Sequence, residues 1–199
     1  MIRFDRGALE FALRQLLTKL HAQDEPTGLR IIGGAALSLR YFEREATVDI
    51  DAHPIGDSAL VLAAGRTVAE ENGWPIDWLN DLASGFIPEY GRVTPNWETL
   101  YERDGVSIQV PSAQAMLAMK LRANRPGRDD VDIAKLMAIC DVTAVEQAEE
   151  LYEAFYSTEV LPDRAVAMIE RILALGLPPR PEQPSAPRLD PRSDQPRTM

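Results

Sequence analysis

Apolar positions along the chain follow two rhythms, one of about 3.6 residues and one of two. Residues 5–22 place Leu9, Leu13, Leu16, Leu17 and Leu20 on one helical face. Gly28-Leu29-Arg30-Ile31-Ile32 then forms a short apolar strand that runs into Gly33-Gly34, and a helix is expected from Ala35 to about Phe42. Thr47-Val48-Asp49-Ile50-Asp51-Ala52 alternates with period two, which predicts a second strand with Val48 and Ile50 directed to the core. Residues 58–71 read as a helix closed by Asn72-Gly73. Trp97–Glu102 and Val106–Val110 flank Arg103-Asp104-Gly105, a hairpin signature.

Downstream the pattern is helical. Ser112 caps a helix through Ala123, Pro126-Gly127 interrupts it, and a new helix runs from about Arg128 to Ile139. Thr143 with Glu146 forms a capping box for the next helix, and residues 163–175 make the last. This order predicts an α+β protein: a sheet-bearing core over 1–110 and a C-terminal helical part over 111–177 of the same domain. Residues 178–199 carry a proline every few positions and almost no apolar anchor. They are expected to be a disordered tail, dispensable for folding, with adaptor binding through the proline motifs as the lesser alternative.

Composition narrows the class. The chain has 199 residues, 45% hydrophobic and 26% charged, which is ordinary for a soluble globular protein. The single cysteine, Cys140, excludes an internal disulfide and reads as an inert buried thiol. Two histidines, His21 and His53, argue against a histidine-rich metal site. Apolar runs are too short to span a membrane, and the N-terminal residues lack a secretory pattern, so a cytoplasmic protein is expected. The net charge of -10 gives no overall attraction for nucleic acid and argues against DNA binding. It leaves room for a local basic groove and for carboxylates that hold a divalent metal.

Four elements carry candidate chemistry. Gly33-Gly34, at a strand end and opening a helix, is either a tight turn or a place where a phosphate approaches the backbone closely. Asp49 and Asp51 stand two apart on the expected strand and so share a face. Their mutual repulsion is relieved by a cation, Mg²⁺ or Mn²⁺, or else the face is simply solvated. Arg44, with Thr47 just ahead of that strand, suits a phosphate or is a surface arginine beside Glu43 and Glu45. Lys120 sits mid-helix among apolar neighbours, where an ammonium needs a partner such as a triphosphate. Asp129 and Asp132 share a helical face, and their place in a first turn also has the plain explanation of the helix dipole.

Taken together, IIGGAALSLRYFEREATVDID and MLAMKLRANRPGRDDVDIAKL resemble the nucleotidyltransferase superfamily, and within it the minimal bacterial branch of AbiEii-type toxins, over roughly residues 28–175. The resemblance implies a small mixed sheet flanked by helices, with a nucleoside-triphosphate cleft. It implies that Asp49 and Asp51 bind the metal, that Gly33 and Gly34 cradle the phosphates, and that Lys120 contacts the triphosphate. It further implies that Asp129 or Asp132 completes the active site. Many members draw a third carboxylate from a later strand. Here that strand, Val106–Val110, offers Ser107 or Gln109, and Asp77, Glu98 or Glu102 are the substitutes.

The implied activity is metal-dependent transfer of a nucleoside monophosphate from an NTP to an acceptor, RNA (tRNA) or protein, as the toxin of a toxin–antitoxin pair with a cognate antitoxin. The alternatives are a catalytically weak or dead binding protein on the same scaffold, and a small-molecule (antibiotic-type) adenylyltransferase. An RNA acceptor would need a basic track, for which Arg30, Arg40, Arg44, Arg122, Arg125 and Arg128 are the candidates. Trp74, Trp78 and Trp97 are either base-stacking or partly buried structure. His53 lines the end of the aspartate strand.

Overall fold

The computed structural model describes residues 3–23 and 25–191. The chain divides into two compact units: Met1–Ser84 with Trp97–Val110 and Gln183–Met199, and Gly85–Asn96 with Pro111–Glu182. Residues 85–96, expected in the sheet-bearing core, belong with the helical unit.

The first unit opens with α1 (Arg6–Leu20), started by Asp5, whose carboxylate accepts the Ala8 N–H at 2.8 Å. Its expected leucine face, Leu9 to Leu20, is fully buried. Then follow β1 (Thr27–Ile31) and α2 (Gly33–Ala36), which widens into a π turn over Leu37–Tyr41, closed by the Phe42 N–H on the Leu37 carbonyl at 3.1 Å. Next come β2 (Ile50–Ile55), α3 (Ser58–Asn72) and the short β3 (Leu79–Asn80). The hairpin of β4 (Trp97–Arg103) and β5 (Val106–Pro111) turns at Asp104 and Gly105, φ 45° and 77°, as a primed two-residue turn requires.

The five strands form one mixed sheet in the order β3-β2-β1-β5-β4. β1 is antiparallel to β2 and parallel to β5, and β2 is parallel to β3. The second strand lies three residues later than its alternation suggests. Ile31 pairs with Ala52 and Gly28 with Ile55, while Thr47 leaves the sheet for a bridge to Phe4, N···O 2.7 and 2.9 Å. Val48, expected in the core, is 38% exposed; Ile50 is fully buried as expected. Phe4 also seats Trp74 and Trp78, at ring-centroid distances of 5.3 and 5.9 Å, and the Trp78 indole N–H donates to the Gly65 carbonyl at 2.8 Å.

The second unit holds α4 (Ala113–Ala123), α5 (Asp130–Cys140), α6 (Val145–Phe155) and α7 (Asp163–Leu175). α5 begins later than expected, because the N–H groups of Arg128 and Asp129 turn back onto the Arg125 carbonyl. The expected Thr143–Glu146 capping box is replaced by a contact one residue on. Ala144 is the N-cap of α6, and Gln147 Oε1 accepts the Thr143 backbone N–H at 2.7 Å. Segment 85–96 is tied to the end of α6 by the Val93 N–H on the Ala154 carbonyl at 2.9 Å. Gly91 lies so close that a methyl there would come within 2.2 Å of the Phe155 carbonyl oxygen.

Residues 178–191 of the expected disordered tail are described, and they differ from that expectation. They carry no helix or strand before Pro191, yet Leu189 is 3% exposed, and the carbonyls of Ser185 and Arg188 accept from Arg6 and Arg14 of α1. Residues 192–199 of that tail lie outside the described residues. Among the described residues, no helix is long and apolar enough to cross a membrane.

Candidate functional site

In the first unit, β-sheet register assembles the motif pieces. Because Ile31 pairs with Ala52, the next residue on each side meets across the strand ends, and the Ile32 N–H donates to the Asp51 carbonyl at 2.9 Å. Gly33 follows at φ +65°, and a methyl placed on it would lie 3.1 Å from Asp51 Oδ2. Gly34 is as tightly approached. A methyl there would come within 2.7 Å of Arg44 Nη1 and 3.1 Å of Thr47 Oγ1. The Arg44 guanidinium donates to the Ala46 carbonyl at 3.3 Å, and the Thr47 hydroxyl to the Asp49 carbonyl at 3.1 Å. Gly33, Gly34, Arg44, Thr47 and Asp51 are therefore one cluster at the C-terminal end of β1.

Asp49 lies just outside the strand it was expected to share with Asp51. It is half-buried and stands one residue ahead of β2, so strand alternation does not fix its face. Among the described residues, no group of three or more His, Cys, Asp or Glu side chains is gathered as a metal cage. On β5, Ser107 and Gln109 occupy the half-buried face opposite Val106 and Ile108, and Gln109 Oε1 accepts from Arg30 Nε at 3.3 Å. Of the substitute acids, Glu98 is paired with Arg40 at 2.5 Å, while Asp77 and Glu102 are exposed. His53 is exposed and faces Ser84 Oγ at 3.3 Å.

In the second unit, the lysine motif forms a closed polar cluster. Lys120 is 5% exposed, and its ammonium donates to Asp129 Oδ1 at 2.7 Å and Asp132 Oδ2 at 2.9 Å. Asp129 is fully buried and also accepts from Arg125 through the backbone N–H (3.1 Å), Nε (3.0 Å) and Nη2 (3.3 Å). Burial by itself would raise the Asp129 carboxyl. The Arg125 hydrogen bonds and the Lys120 charge overcome that and bring it down to about 2. Arg125, a candidate for the basic track, instead clamps Asp129; its i,i+4 spacing to that residue was the available signal. Asn124, which ends α4 at φ 35°, is 1% exposed, and its amide has no hydrogen-bond partner among the described residues.

A second feature of this unit went unread in the sequence. Arg122 grips Glu159 with two donors at 2.6 and 3.2 Å, donates to the Gly85 carbonyl at 2.8 Å and lies 4.8 Å over the Tyr156 ring. These residues and Tyr90 line a cleft of about 230 Å³. Of the candidate basic track, Arg40, Arg122 and Arg125 are thus engaged by carboxylates, and Arg30 lies over Trp97 at 4.8 Å. Trp74 and Trp78 serve the core around Phe4. The half-buried Cys140 thiol is pushed up to about 12, first by burial and then by the neighbouring Asp141, against the influence of Arg180.

No family model, curated protein or solved structure matches the chain.

Proposed function

We propose that this chain is a cytoplasmic, metal-dependent nucleotidyltransferase built on a nucleotidyltransferase-like fold, moving a nucleoside monophosphate from an NTP onto an RNA or protein acceptor. The observation that carries the reading is the cluster at the end of β1. Two glycines without side chains let one carboxylate, one guanidinium and one hydroxyl close on the backbone at the head of α2. That set matches a polyphosphate with its counter-ion: amides and Arg44 for phosphate oxygens, Asp51 and Asp49 for the cation. Mg²⁺ is commonly held by only one or two carboxylates, with substrate phosphates and water completing its shell, so two aspartates fit it.

In this reading an acceptor oxygen attacks the α-phosphorus, the bond to the α–β bridging oxygen breaks and pyrophosphate leaves, while the acceptor's proton passes to solvent. Bound Mg²⁺ or Mn²⁺ supplies charge neutralisation for that step. Gly33 and Gly34 let Asp51, Arg44 and Thr47 come close to the backbone, and Arg44 orients the phosphates. The resemblance also gives Lys120, Asp129 and Asp132 a part in the transfer; within the second unit they form a cluster of their own, the ammonium on both carboxylates. Membership of a toxin–antitoxin pair rests on the same resemblance. Ser107 and Gln109, where a third acid would stand, favour the second reading: a weakly active or inactive nucleotide-binding protein on the same scaffold.

The test is calorimetric titration with each NTP, with and without Mg²⁺, followed by label transfer from the α-labelled NTP into RNA and protein. Asp51→Asn and Asp49→Asn are expected to abolish Mg²⁺-dependent NTP binding with normal thermal unfolding. Undiminished binding in both variants overturns the site. Binding without transfer selects the second reading.

A further inference from the structure

We infer that the face of α1 bearing Arg6 and Arg14 is a docking surface for an extended, proline-repeat peptide, and that residues 184–190 of this chain are its resident ligand. The repeat is visible in both sequence and burial. Prolines recur at 178, 181, 184 and 187, and each is half-buried, while the residues between them are exposed down to Arg188. A period of three is that of a polyproline II helix, in which every third side chain lies on one edge. Proline fixes its own φ and restricts the residue before it to extended backbone, so Gln183, Ala186 and Asp190 are held extended by the prolines that follow them.

Such a segment makes no internal hydrogen bonds, and its carbonyls need donors from outside. Two arginines of α1 supply them with the same period of three. Arg6 Nη2 donates to the Ser185 carbonyl, and Arg14 Nη1 to the Arg188 carbonyl at 2.8 Å. Eight helical residues span about 12 Å and three polyproline residues about 9 Å, a difference that arginine arms readily absorb. Arg6 is itself held by the carbonyls of Ser38 and Leu39, at 2.5 and 3.0 Å, and by Glu10 at 3.3 Å, so one donor is preset for the peptide. The segment is then locked at its end by Leu189, 3% exposed, and by Asp190, 3.8 Å from Arg103. Recognition combines two backbone carbonyls, the prolines that keep them extended, and the Leu189 and Asp190 side chains at the end, so an external peptide carrying the same pattern competes for the seat.

The Arg188–Leu189 bond reports occupancy, because trypsin cleaves there and needs the carbonyl and Leu189 released. In the full chain, cleavage at this bond, followed by mass spectrometry, is expected to be at least tenfold slower than in a free peptide covering residues 181–191. Arg14→Gln and Leu189→Asp, each checked for unchanged thermal unfolding, are expected to bring the rate to within a few-fold of the free peptide. Millimolar amounts of that peptide carrying Arg188→Gln, which trypsin cannot cut, are expected to speed cleavage of the wild-type chain. A peptide with its prolines moved out of register is expected to have no effect. Cleavage of the wild type at the free-peptide rate, indifference to both substitutions, or equal action of the two peptides overturns the inference. Protection that falls on dilution also overturns it, by assigning the seat to the tail of a second copy.

Discussion

Replacing Asp129 by Asn keeps the shape of the Lys120 cluster and removes one charge. The carboxyl is fully buried and receives one hydrogen bond from Lys120 and three from Arg125. Its fall from a usual 3.8 to about 2 means that the ionised form is preferred in the folded state. At 1.36 kcal/mol per pH unit, this difference corresponds to about 2–3 kcal/mol of stability. Removing one partner of a buried pair costs about 3–5 kcal/mol, but Lys120 retains Asp132, which keeps the loss at the lower end. Because the folded value is depressed, this stability is present above pH 3.8 and is lost as pH falls from there through about 2. Urea unfolding of wild type and Asp129→Asn is therefore expected to differ by about 2–3 kcal/mol at pH 7 and to converge as the pH approaches 2. A difference that stays constant over this range, or a variant as stable as the wild type at pH 7, refutes the assignment.

Gly33→Ala and Gly34→Ala are expected to behave differently. The first forces a positive φ on alanine and presses on Asp51, and should cost about 1–2 kcal/mol in denaturant unfolding. The second meets only the flexible tip of Arg44 and the Thr47 hydroxyl; it should cost well under 1 kcal/mol in the same measurement while weakening NTP binding at least fivefold in calorimetry. Tyr152 and Tyr156 are both raised well above their usual 10, by burial first, so their neutral forms are favoured in the fold. Stability should be full below pH 10 and decline above it, with 295 nm absorbance showing their ionisation only together with unfolding. Cys140, pushed up to about 12, should react with a disulfide reagent at pH 8 at least tenfold more slowly than in urea.

The sequence made some of these elements legible and hid others for identifiable reasons. α1 and α7 carry 3.6-residue periodicity, Asn72-Gly73 closes α3, and the Asp104-Gly105 turn demands a hairpin, so they lie where the pattern puts them. β2 was misplaced because Val48-Asp49-Ile50 alternates as well as the true strand, and only pairing with β1 chooses between them. The nearness of Gly33 to Asp51 follows from that register, and Arg44 against Gly34 from the return of the chain. The tail was misread because composition counts its few apolar residues, whereas its seat depends on carbonyls and on the spacing of prolines. Lys120 showed by its apolar neighbours that it needed a partner, and the Asp-x-x-Asp spacing just downstream offered the two carboxylates that hold its ammonium.

The order in which the strands are synthesised differs from the order in which they lie. β1 is central in the sheet, but its parallel neighbour β5 emerges from the ribosome some eighty residues later, after the whole of segment 85–96 has left for the other unit. The chain passes between units at 84/85, 96/97, 110/111 and 182/183. Nascent β1 therefore waits with one edge unpaired, a template for wrong strand partners, and neither unit can be completed before most of the polypeptide exists. Fragments ending near residue 84 or 96 are accordingly expected to aggregate on expression, and refolding of the full chain to be limited by capture of the β4–β5 hairpin.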